Sequence, residues 1–140
     1  MTPSLDPLFP LPRTVVIGLL GGLVSLSVAS ALWLRFGFTT RTAGNGQFLI
    51  YVGLGAIALG AVPAILAAAY GLVAPLVVHL AIGGAAAYGT WTRYVAPETP
   101  PAPVGPTPFG WFLLGWVAVV ALGLVAGWGE HRLRRRRVTR

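Results

Sequence analysis

Between Thr42 and Thr92 the chain runs for 51 residues without Asp, Glu, Lys or Arg, and tyrosines aside its single ionisable side chain there is His79. An imidazole in so apolar a setting has three chemical uses: a proton relay, a metal or haem ligand, or a polar contact to a substrate. Each use needs a second group. A carboxylate-assisted proton path needs an acid in an apolar segment, yet Asp6, Glu98 and Glu130 are the only acids and all lie outside such segments. A bis-His haem needs another buried His, and His131 sits in a basic tail. Only a symmetric oligomer that brings two copies of His79 together would supply one. By itself, His79 reads as a neutral ring bonded to a backbone carbonyl or to a hydroxyl such as Ser25, Ser27, Ser30 or Tyr51. It is the one candidate for an intramembrane functional residue.

The other chemistries lack reagents. The serines at 25, 27 and 30 have no neighbouring base or orienting acid, which a serine nucleophile requires. With no cysteine and Met1 as the only methionine, thiolate sites, disulfides and thioether ligands are excluded. The expectation is therefore no catalytic residue, no metal site and no cofactor.

The elements that carry these residues are set by the apolar pattern. Hydrophobic residues make up 56% of the 140 and charged ones 9%, against roughly 25% charged in soluble domains. Four apolar segments stand out, at about 14–34, 48–70, 72–92 and 109–128. Each matches a hydrocarbon thickness of ~30 Å at 1.5 Å per residue. In lipid each must satisfy its own backbone, so each is expected to be a helix. Tyr70-Gly71 followed by Pro75 is the only turn signal between the second and third. A single helix across both would be ~68 Å long, too long for a bilayer, so a tight hairpin is expected. Residues 14–28 with Ala29-Ser30-Ala31 also resemble a signal-peptide core and cleavage site. The Pro-rich, Asp6-containing start and an apolar run that continues to Leu34 favour a span instead.

The fold class expected is thus an all-α, four-helix up-down bundle forming one polytopic membrane domain over residues 1–140. It has a short segment 1–13, a turn near Asn45-Gly46 in residues 39–47, a Pro-rich loop 96–108 and a basic tail 130–140. Both termini then share a side. That side carries Arg13 and the six tail arginines, the other Arg35, Arg41 and Arg93. The positive-inside rule makes the termini cytoplasmic in a cell membrane. Eleven of the fifteen aromatics, among them Trp33, Phe36, Trp91, Tyr94, Phe109 and Trp111, fall near the opposite face.

Small residues recur at helix-packing spacing: Gly18 and Gly22, Gly60 with Ala56 and Ala64, Gly83 with Ala87, and Gly123 with Gly127. They are expected to pack helices within the bundle, or against a second copy or a larger membrane partner. Pro63 removes the bond to the Leu59 carbonyl and is expected to kink its helix. Arg132, Arg134, Arg135, Arg136 and Arg137 read as a topology anchor and as contacts to anionic lipid headgroups, each worth ~1 kcal/mol near such a surface. The net charge of +7 alone would suit nucleic acid, but no aromatics interleave the tail and none is expected to bind.

Four short helices in a small chain resemble the small multidrug resistance transporters in size and span count. That family uses a membrane-embedded Glu in its first helix to couple protons to cationic substrates. Here the first span offers Ser25, Ser27 and Ser30 but no carboxylate. The function expected first is a non-catalytic accessory, structural or interaction subunit of a membrane assembly. A small oligomeric transporter or channel is the alternative.

Overall fold

A computed structural model describes residues 12–37, 46–96 and 107–138, and among these every regular element is helical. Helix α1 spans Arg13–Arg35 and α2 spans Gly46–Tyr70. Helix α3 spans Ala74–Thr90 and runs into one π-helical turn, Trp91–Val95. Helices α4, Pro108–Leu114, and α5, Trp116–Val138, complete the chain. Helices α1 and α2 are long and apolar enough to cross a membrane, and α4 with α5, bent by 73°, adds a third if the two are taken together. Helix α3 alone is 17 residues, about 26 Å, slightly short of the ~30 Å hydrocarbon layer.

Two boundaries differ from the sequence reading. Gly46 and Gln47 already belong to α2 rather than to a turn. The fourth apolar segment is two helices, not one. At Gly115 the Ala118 N–H donates to the Gly115 carbonyl instead of reaching back to Leu114. The freed Leu114 carbonyl accepts the Tyr51 hydroxyl of α2 at 2.8 Å. The bend thus replaces a helical bond with a side-chain bond, which an apolar environment demands. The start of α4 is satisfied as fully. Pro108 has no N–H, the Phe109 N–H donates to Thr90 Oγ1 at 2.8 Å, and the Gly110 N–H donates to Thr107 Oγ1 at 3.0 Å. Thr90 is wholly buried to do this.

The α2–α3 hairpin turns where expected. Gly71 takes φ +65°, a left-handed conformation that favours glycine, and Pro75 sits in the first turn of α3. The Pro-rich loop, apart from Ala96 and the residues from Thr107 on, lies outside the described residues, as do Phe38, Arg41, Asn45 and Arg140. Helix α2 is central, with α1 on one side and α3, α4 and α5 on the other. Helix α1 packs extensively on α2 alone. One end of the bundle holds the start of α1, the α2–α3 turn and the basic end of α5. The other joins Trp33 to Phe48 (ring centres 6.3 Å) and Phe36 to Phe109 (5.5 Å).

Candidate functional site: a lateral cleft and a capped hairpin

Glycine decides how α1 meets α2. A Cβ at Gly18 would stand 2.5 Å from Ile65, one at Gly21 would stand 2.6 Å from Ala64, and one at Gly22 would stand 2.9 Å from Ile57. At Gly60 it would strike the Gly21 carbonyl and Ser25. The two backbones therefore touch near the middle of both helices. On the other side, Gly83 faces the Phe112 ring, and Gly123 and Gly127 face Pro75 of α3. The named glycines all lie at contacts between helices of this chain.

Because α1 packs mainly on α2, it stands apart from α3 along most of its length. Between them lies a cleft of about 410 Å³ that opens sideways. Helix α1 supplies Gly21 to Leu32, α3 supplies Leu76 to Ala87, and α2 forms a floor with Leu59, Gly60 and Pro63. Phe109, Phe112 and Leu113 line the end nearer α4. Only two polar side chains line it, Ser25 and His79. Pro63 is buried in this floor, and α2 continues through it as one helix.

His79 lies half-buried where the cleft meets a smaller space between α2, α3 and α5, with its ring 5.6 Å from that of Phe112. The hydroxyls expected to serve it are partly engaged elsewhere: Ser27 donates to the Leu23 carbonyl at 2.8 Å and Tyr51 to Leu114. Nor do three His, Cys, Asp or Glu side chains come together among the described residues. The Trp116 indole N–H, buried against Gly55, has no acceptor among the described residues.

The second constellation is electrostatic. Glu130 of α5 reaches across to α3, where its Oε2 accepts the Val73 and Ala74 N–H groups at 2.9 and 2.8 Å. Its Oε1 pairs with Arg134 one turn on. A carboxylate there satisfies two orphan donors and meets the positive end of the α3 dipole. The Ala74 N–H foremost, then Arg134, hold the Glu130 carboxyl below its ordinary range against some loss of hydration. The Glu130–Arg134 pair is local, four residues apart on one helix. The capping of α3 is not local, and no sequence pattern links residues 56 apart. Arg134 is thus a clamp on the hairpin, while Arg132 stacks over Trp128 at 4.4 Å. Arg135 and Arg136 continue the exposed helix, and Arg137 lies in its last turn.

The chain matches no protein-family model, no curated protein and no solved structure.

Proposed function

We propose that this is a small integral membrane protein with four crossings, serving as a non-catalytic accessory or interaction subunit of a membrane assembly. The observation that carries the reading is the one-sided packing of α1. Helix α1 gives one face to α2 and leaves Leu19, Leu20, Leu23, Val24 and Val28 exposed. An apolar helix with a bare face is at rest only against lipid or another membrane protein. Helix α3 with its π-helical turn, and α4 with α5, serve as the third and fourth spans. The basic end of α5 stays helical to Val138. It presents Arg132, Arg135 and Arg136 as a rigid positive surface, suited to anionic headgroups on the cytoplasmic side.

The test is extraction in a mild detergent followed by identification of co-purifying proteins. The reading expects a reproducible larger membrane partner and no solute flux from the purified protein in vesicles. A second reading, a small oligomeric transporter, draws support from the lateral cleft with His79 on its wall. It expects flux in vesicles that changes in His79→Ala. Flux without any partner would replace the first reading by the second.

A further inference from the structure

We infer that the cleft between α1 and α3 seats one acyl chain of a membrane phospholipid, with the lipid phosphate held by Arg35. The shape of the space selects the occupant. The lining runs eleven residue steps along α1, from Gly21 to Leu32, and eleven along α3, from Leu76 to Ala87. That is about 17 Å at 1.5 Å per residue. A volume of about 410 Å³ over this length, with the width of a water molecule added, leaves a channel about 8–9 Å across, whereas a helix needs about 10–12 Å. A second copy or a partner helix does not fit between the walls, but a single extended hydrocarbon chain does.

The wall chemistry agrees. Aliphatic and aromatic carbon lines nearly all of it, so water inside would lack the two to four polar partners it needs. The side opening faces the region where lipid chains lie. At the end beyond Leu32 and Ala87, the next turn of each helix brings Arg35 over the Trp91 ring, 5.3 Å from its centre. The pair bridges α1 and α3 above the channel, and below it the helices part. A guanidinium fixed by an aromatic ring at that level is a phosphate partner at headgroup depth. Among the described residues its side chain makes no ion pair. Gly21 and Leu76 mark the other end of the channel, with Ser25 and His79 about one turn inside it.

Gly84 provides a clean test. It lines the cleft, yet a Cβ there would meet nothing within 4 Å. Gly84→Leu therefore adds bulk to the wall of the channel from a position where the new Cβ meets no packed contact. Gly53, equally open but lining a different groove, is the control. The full chain is purified in mild detergent with palmitoyl-oleoyl phosphatidylglycerol, washed in lipid-free detergent, and weighed by native mass spectrometry. Wild type and Gly53→Leu are expected to retain one lipid per chain. Gly84→Leu should reduce retention roughly tenfold, the effect of about 1.4 kcal/mol. Arg35→Gln should weaken phosphatidylglycerol but leave the retention of diacylglycerol, which has no phosphate, unchanged. Equal retention by Gly84→Leu and wild type, or no lipid on wild type, overturns the assignment. A dimer mass abolished by Gly84→Leu would assign the cleft to a second copy instead. Lipid seating requires only that α1 to α3 lie in a bilayer, so it stands or fails apart from the accessory role.

Discussion

Glu130 shows how one residue outside the apolar segments can organise those within. Its carboxylate joins the end of α5 to the first turn of α3, across the hairpin that Gly71 makes possible. Since its carboxyl is held below the ordinary value in the folded protein, the folded state binds that proton less readily than the unfolded chain. The stabilisation is therefore complete above the unfolded carboxylate pKa of about 4.3. It is lost as pH falls from there through the lower folded value. Thermal unfolding in detergent should show a drop in midpoint over that acid range. Glu130→Gln should unfold at a lower temperature at neutral pH and lack that part of the acid drop. An unchanged acid profile in the variant would show that the cap contributes nothing.

The helices differ in how firmly they are held. Helix α1 depends on its seam with α2, where Gly21 and Gly60 bring the backbones together. In a bilayer, lipid would remove the hydrophobic drive for association, leaving this close van der Waals contact to hold the pair. Gly60→Val would push a methyl group into the Gly21 carbonyl, and backbone cannot move aside as a side chain can. Overpacking of this kind costs about 1–3 kcal/mol. Unfolding in mixed detergent should find Gly60→Val destabilised by at least that much and Gly84→Val close to wild type. Equal behaviour of the two would mean that α1 and α2 do not pack through this seam. The bend at Gly115 is the opposite kind of feature. It breaks a helix, yet Tyr51 replaces the missing donor to Leu114 and Thr90 serves the start of α4. A break within an apolar bundle persists because each group it frees finds a partner.

At the scale of the whole chain, the start of α1, the α2–α3 turn and the basic end of α5 share one end of the bundle. Four crossings with this end in the cytoplasm make a direct prediction, and the absence of native cysteine makes it simple to test. Single thiols at Thr2→Cys and Thr139→Cys should react with an impermeant maleimide only after the membrane is opened. Those at Thr42→Cys and Thr99→Cys should react in intact cells. Reaction of Thr2→Cys and Thr139→Cys from opposite compartments would remove the even number of crossings, and the placement of Arg35 at the outer headgroups with it.

Much of this architecture is written locally. Apolar runs of about twenty residues, Gly71 before Pro75, and the clustering of arginine after Trp128 act over a few residues each. The helical class of each run, the turn position and the charge of each end follow from them directly, whereas the break at Gly115 does not. The small-residue spacing at Gly18, Gly22 and Gly60 marks where backbones can approach, though it does not name the partner. What tertiary structure alone decided are the relations between distant segments. Glu130 finds the amides of Val73 and Ala74, Tyr51 finds the Leu114 carbonyl, and α1 leans on α2 while standing off α3. The cleft exists because of that last relation. A space between helices belongs to no residue and has no sequence pattern, since it is fixed by which glycine seams close and what they leave unfilled.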